Sequence, residues 1–431
     1  MTGILSLIVF GLLVLLFIWD KLPMATSAIL GCAIMVILGL SDFATTFAPF
    51  ASTTVIMLIG VMIVGQAFVE TGLANIISRV VLKLTKNNER LLILVSFLIA
   101  FGLSTFLTNV TVLAIFIPII FAISATQDNI KPMNIVIPLT LAVNAGGITT
   151  LIGSSQQMTA QGLLEDYGYV GFKVFDFAPM GAILAVAFLV YSLTLGYWLG
   201  NRIWGRRTAE EINAEISAPE EIKTDKKKII SISVIFFFMV FFYIFQGIPF
   251  TDITIKPVVT AVSTALLCII TGCITQKKAI ESVNWNIVGR LAGCLGIAAA
   301  LESAGGIEIV KNWFLNFAGE GFSPWLFFII IVLLTWVTSL FISNSTSISV
   351  TLLLVMSIAG TLGLNVYTFA MGIVFASSIG CCCPLSGSTW GVAMSAGYKF
   401  RDFFRYGIWI DLIGILLTIV CVPLIFGGVT A

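Results

Sequence analysis

Long apolar runs dominate the chain, and they are of three kinds. Most, at 3–19, 23–40, 52–70, 177–200, 229–246, 257–275, 284–302 and 405–428, approach the roughly 20 residues an α-helix needs to cross a bilayer. Two others, 91–124 and 324–361, are about twice a span, and each carries a polar knot at its centre, FLTNVT at Phe106 to Thr111 and FISNST at Phe341 to Thr346. A helix, a polar tip and a helix returning to its own side fits each. The last two, 133–165 and 366–396, are interrupted by AGGITTLIGSSQQ and SSIGCCCPLSGST. Gly, Pro and hydroxyl clusters are tolerated inside a span only where the freed backbone is buried in protein or lines a cavity, so these read as broken helices.

The pattern predicts an all-α membrane protein of two inverted-topology repeats, with about ten transmembrane helices, two re-entrant hairpins and two broken helices. One stretch is soluble in character, Asn201 to Lys228, and forms the linker between a first repeat, 1–200, and a second, 229–431. Placing it in the cytoplasm puts all of the 22 basic residues inside except Lys173, Lys256 and Lys311, as the positive-inside rule asks. Full double crossings in place of hairpins give the same charge balance, so the polar tips carry the argument for re-entrance. Five crossings on each side of the linker make the halves enter the membrane in opposite senses. The N-terminal run lacks a basic leader and reads as a first span, not a removed signal.

Internal similarity supports the repeat. FVETGL (Phe68 to Leu73) matches LESAGG (Leu301 to Gly306), TNVT (Thr108 to Thr111) matches SNST (Ser343 to Thr346), and IGSSQ (Ile152 to Gln156) matches LSGST (Leu385 to Thr389). FKVFDF (Phe172 to Phe177) matches KFRDFF (Lys399 to Phe404), and all four pairs keep one order. Broken helices facing each other across such a repeat are a transporter signature.

Composition narrows the class. At 59% hydrophobic and 10% charged residues the chain is far from a soluble domain, and a net charge of +1 gives no reason to expect a nucleic-acid partner. The absence of histidine removes the commonest general base and most zinc sites, which argues against an enzyme. Eight cysteines, several inside apolar runs, indicate no disulfide framework, and Cys381, Cys382 and Cys383 read as small-residue packing more readily than as soft-metal ligands.

The knots themselves suggest ion chemistry. Breaking a helix frees N–H groups that suit an anion and C=O groups that suit a small cation, while Asn and hydroxyls offer donors and acceptors without fixed charge. No Asp, Glu, Lys or Arg lies within either hairpin interior or either break, which favours sodium over proton coupling and an anion as cargo. FLTNVTVLAIFIPI and FISNSTSISVTLLL resemble the two Ser-Asn-Thr hairpin tips of the divalent anion:sodium symporter family, within the ion transporter superfamily. GGITTLIGSSQQMTAQGLLEDYGYVGFKVFDFAPMG and PLSGSTWGVAMSAGYKFRDFFRYG are similar to that family's other repeated segments.

The resemblance implies a substrate site at Thr108, Asn109, Val110 and Thr111 and at Ser343, Asn344, Ser345, Thr346 and Pro384. It implies two sodium sites, one at Thr108, Asn109, Gly153 and Ser154, the other at Ser343, Asn344, Ser386 and Gly387, with Ser155 and Leu385 adjoining. Sodium is then the coupling ion, with no cofactor, and the partners are a small anion, the bilayer and a second copy in a homodimer working as an elevator in the inner membrane. Val110 stands where the family has Thr, and Ser345 replaces the second Thr, which puts the usual C4-dicarboxylate in question. Sodium-independent exchange and a passive anion channel are the competing functions. Among the other charges, Glu70 and Glu302 read as interfacial, Arg290 as snorkelling, and Asp411 as paired with a neighbouring helix. Trp19, Trp198, Trp204, Trp313 and Trp409 fit an interfacial belt.

Overall fold

A computed structural model describes residues 2–19, 24–72, 88–126, 130–204, 226–245, 255–306, 323–340 and 344–430 apart from 395, with a few isolated positions besides. The described residues are helical and form no strand. The first half runs α1 (Thr2–Trp19), α2 (Met24–Ile37), α3 (Phe43–Phe47), a 3-10 turn (Ala48–Ala51), α4 (Thr53–Glu70), α5 (Glu89–Ser104), α6 (Asn109–Thr126), α7 (Met133–Gly147), α8 (Ser155–Asp166), α9 (Ala178–Leu193) and α10 (Leu195–Trp204). The second runs α11 (Lys226–Phe245), α12 (Pro257–Ile270), α13 (Gln276–Glu281), α14 (Trp285–Ser303), α15 (Pro324–Ser339), α16 (Asn344–Leu362), α17 (Val366–Ser378), a 3-10 turn (Pro384–Ser386), α18 (Ser388–Met394) and α19 (Phe400–Ile425). Most of the linker 201–228, together with Lys311, Trp313 and the tip residue Ser343, lies outside the described residues.

Packing follows the same plan in both halves. Helix α2 lies against α14 as α12 lies against α4, α5 against α7 as α15 against α17, and α6 against α18 as α16 against α8. Helix stops recur as well: Gly39 and Gly272 follow α2 and α12 at φ 66° and 71°, a backbone region that a Cβ disfavours. Asp176 and Asp402 each accept the backbone N–H three residues earlier, from Lys173 at 2.8 Å and Lys399 at 2.9 Å. This is an all-α membrane architecture built from two repeats.

The helices sort into two packing groups. Helices α1–α4 pack with α11–α14, and α5–α10 pack with α15–α19, while contacts between the groups run chiefly from α4 and α14 onto α8 and α16. At the foot of the first hairpin, Glu89 holds three elements together by accepting from Lys131 N (2.9 Å), Asn134 Nδ2 (3.2 Å) and the Tyr197 hydroxyl (2.7 Å).

One expectation changes, and the spans gain detail. Among the described residues, three stretches are individually long and apolar enough to cross a membrane: Phe43–Glu70, Lys226–Phe245 and Phe400–Ile425. The run 177–200 is a bent pair, α9 and α10, turning by 47° at Thr194, and counts as a fourth. Most single-span runs match their helices closely, as Thr2–Trp19, Thr53–Glu70, Lys226–Phe245 and Trp285–Ser303 do, whereas the runs 23–40 and 257–275 outlast the helices Met24–Ile37 and Pro257–Ile270 by a few residues. Trp204 leaves the expected belt: it is buried, stacked on Tyr406 with ring centroids 5.4 Å apart, and edge-on to Tyr398 at 5.2 Å. Trp198 and Trp409 are exposed, as a lipid-facing ring would be.

Candidate functional site

The first knot is held by the protein itself. Helix α5 ends at Ser104, where Thr105 turns its hydroxyl back onto the Gly102 carbonyl at 2.5 Å, and α6 starts at Asn109. The Asn109 amide is gripped from both sides: the Ser104 hydroxyl donates to Oδ1 at 2.7 Å, and Nδ2 donates to Asn144 Oδ1 at 3.3 Å. A Cβ on Gly147 would strike that amide, so only glycine lets α7 end against the tip. The Thr108 and Thr111 hydroxyls meet at 2.7 Å, whereas Val110 between them offers no polar atom.

The break between α7 and α8 is tied to this knot. The Gly147 carbonyl accepts from Gln157 Nε2 at 2.9 Å, and Gln157 Oε1 in turn accepts the Ser154 hydroxyl. Thr150 donates to the Thr105 carbonyl at 2.6 Å, linking break to hairpin. Gly153 packs directly on the backbone of Gly147, where a Cβ would collide. Asn109, Gly153 and Ser154 therefore belong to one connected cluster, and Ser104, Asn144 and Gln157 join it. Asn144 immediately precedes the glycine-rich interruption and Gln157 closes it, and amide side chains at those two places in an apolar run were the available signal.

The second knot differs. Asn344 opens α16 and neighbours Gly387, where a Cβ would sit 4.0 Å from Asn344 Nδ2. Its Oδ1, the Ser345 hydroxyl and the Ser347 hydroxyl are buried and find no hydrogen-bond partner among the described residues. Ser339, which corresponds to Ser104, donates to the Trp336 carbonyl at 2.8 Å and not to the asparagine. Ser386 is buried and spends its proton on the Gly380 carbonyl at 2.5 Å, beside the buried Pro384. Thr346 is turned away toward α14, with its hydroxyl 3.7 Å from Cys294 Sγ.

Although no charged residue lies within a break, two charged side chains reach the breaks from distant helices. Asp411 of α19 is 1% exposed and accepts the N–H groups of Cys381 and Cys382, one on each oxygen, at 2.8 Å. The first freed donors of the second break are thus satisfied by a carboxylate, and close approach is permitted by Gly407, where a Cβ would strike Cys381 and Cys382. Arg290 of α14 does not snorkel: its Nη2 lies 3.4 Å from the Ser155 hydroxyl at the start of α8, and its Nε is buried. Glu70 pairs with Lys278 at 2.5 Å. Glu302 lines a cavity of about 480 Å³ between the two packing groups, with Asp166, Tyr167, Thr45 and Ser52, apart from either tip.

Paired polar interruptions inside an apolar, repeated helical body define a multi-pass membrane transporter. The chain belongs to the citrate transporter family, whose model matches residues 14–288 and, in a second match, 250–431. It is 27% identical over 169 residues to the uncharacterized transporter YfbS of Escherichia coli, covering 38% of this chain and 28% of that protein. It is 22% identical over 150 residues to human solute carrier family 13 member 4, covering 35% of this chain and 24% of that one. The chain therefore matches less than a third of the length of either relative. Its fold is similar to that of Neisseria gonorrhoeae MtrF, described as one of a class of antimetabolite efflux pumps, with TM-score 0.62 at 14% identity over 90% of this chain and 83% of that one.

Proposed function

We propose that the protein is a secondary active transporter that couples sodium entry to import of a small anion, either di- or tricarboxylate-like or an inorganic oxyanion. The observation that carries this reading is the unsatisfied second knot. Asn344 Oδ1 is a buried acceptor with no partner among the described residues, beside the unobstructed backbone of Gly387, and such an acceptor is completed well by a small cation. The unpartnered Ser345 and Ser347 hydroxyls next to it can donate to an anion. Sodium at Asn344, Ser386 and Gly387, with Ser343 in the same tip, would bring positive charge to the anion; Thr108, Asn109, Gly153 and Ser154 form the first ion site. At that first site Asn109 already spends one lone pair on Ser104, so its ion would use the remaining one.

The two packing groups suit an elevator, with α5–α10 and α15–α19 as the moving body and α1–α4 and α11–α14 as the fixed one, in a homodimer of the inner membrane with the linker in the cytoplasm. The test is uptake of labelled citrate, succinate and sulfate into proteoliposomes. An inward sodium gradient drives uptake of at least one; uptake indifferent to the gradient contradicts coupling. Counterflow that survives complete sodium removal would select exchange, and ohmic anion currents a channel.

A further inference from the structure

Arg290 carries chemistry that neither knot explains. A guanidinium has five N–H donors and stays charged, so a buried one demands acceptors. Here Nη2 reaches only the Ser155 hydroxyl at 3.4 Å, Nε has no partner, and no carboxylate pairs with the group among the described residues. Arg290 is thus a partly buried positive charge with a buried, unpartnered Nε and no counter-ion among the described residues, which proteins seldom leave away from a functional site.

The surroundings are donors too. Helix α14 packs on both α8 and the start of the second knot's helix α16. Cys294, one helical turn after Arg290 and on the same face, touches Thr346, which turns this face of α14 toward both elements. Ser155 opens α8, whose first N–H groups point out of the helix end. Ser345 and Ser347, 1% and 2% exposed, bring two hydroxyls that lack partners. A guanidinium and a helix N-terminus meet at Ser155, the first turn of α16 with its two unpartnered hydroxyls packs on the same helix α14 one turn along, and a group able to satisfy such a set of donors is an oxyanion.

We infer that Arg290, Ser155 and the first turn of α16 form a subsite for one oxyanion group, a carboxylate or sulfate, of the transported anion. The inference rests on the reading of the protein as an anion transporter and does not depend on sodium coupling. Because Arg290 belongs to one packing group and Ser155 and α16 to the other, the subsite is assembled only in the arrangement seen here. Arg290 then acts as a specificity residue that requires negative charge on the cargo, where the knots alone would accept neutral hydrogen-bonding solutes.

The full-length protein, Arg290→Gln and Arg290→Lys are compared by thermal unfolding in detergent, with citrate or sulfate titrated against chloride at fixed ionic strength, in sodium and in potassium. The wild type gains stability with at least one of the two oxyanions. In Arg290→Gln that gain disappears or needs roughly ten- to hundredfold more anion, and Arg290→Lys restores part of it. In chloride alone Arg290→Gln is as stable as the wild type or more so, since an uncompensated charge has gone. An undiminished gain in Arg290→Gln, a wild type indifferent to both oxyanions, or a glutamine variant that is less stable in chloride would each overturn the subsite. A wild-type gain that is equal in sodium and potassium but lost in Arg290→Gln keeps the subsite and removes the sodium coupling.

Discussion

Asn109 and Asn344 occupy equivalent places in two repeats, yet one is held by the protein and the other is not. At the first, Ser104 and Asn144 satisfy both ends of the amide. At the second, Ser339 turns to its own helix and Asn344 Oδ1 is left buried without a partner among the described residues. The breaks beside them differ in the same way. Gln157 and Thr150, both neutral, brace the first, while the buried carboxylate of Asp411 braces the second. The backbone plan is shared, and the polar chemistry laid on it has diverged. A preorganised knot can fix geometry; an unsatisfied knot gains most from a ligand.

The largest expected effect falls on the brace that has no counterpart. Asp411→Ala strands two buried N–H groups and lowers stability by about 3 kcal/mol, read as a fall in unfolding temperature, whereas Asp411→Asn, which keeps one acceptor, costs about half of that. The equivalent position in the first repeat, Ala185 on α9, is buried and carries no polar group, and Ala185→Ser, whose hydroxyl can bond a carbonyl of its own helix, costs about 1 kcal/mol or less. If Asp411→Ala unfolded no earlier than the wild type, the carboxylate would not be bracing the break.

Next comes the glycine contact. Gly147→Ala pushes a methyl group into the Asn109 amide and costs about 1–3 kcal/mol with loss of uptake, while Gly387→Ala, whose nearest neighbours lie 3.8 Å or further from an added Cβ, leaves the fold intact. Equal effects at the two glycines would mean that the first knot is no tighter than the second.

The asparagines themselves separate stability from transport. Asn109→Ala leaves Ser104 and Asn144 with unmet bonds and costs about 1–2 kcal/mol; Asn344→Ala removes an orphaned acceptor and is near neutral. Both abolish sodium-driven uptake. The smallest effect is at Val110, where Val110→Thr changes stability by about 0.5 kcal/mol or less but restores a hydroxyl at the tip, and the ratio of succinate to sulfate uptake rises.

Hairpins and breaks were legible because polar or flexible residues inside a spanning run are costly, so FLTNVT, FISNST and the two interruptions stand out from the apolar background. The repeat was legible because its polar landmarks kept their order, down to Asp176 and Asp402. What could not be read was who satisfies whom across distant helices. Asp411 meets Cys381 and Arg290 meets Ser155 only through tertiary packing. No period or motif on α14 or α19 marks either residue, and a charge near a span end looks the same whether it snorkels outward or turns inward.

The central claim is that sodium completes the second knot, which lacks internal partners, and adds less order to the first, which the protein already braces. Amide hydrogen exchange, measured in sodium and in potassium at equal ionic strength, tests it most directly. The account predicts that sodium slows exchange in the first turn of α16 and at Gly387 to Trp390 by much more than in the first turn of α6. Exchange that is indifferent to sodium at α16, or protection that is greater at α6, would contradict it.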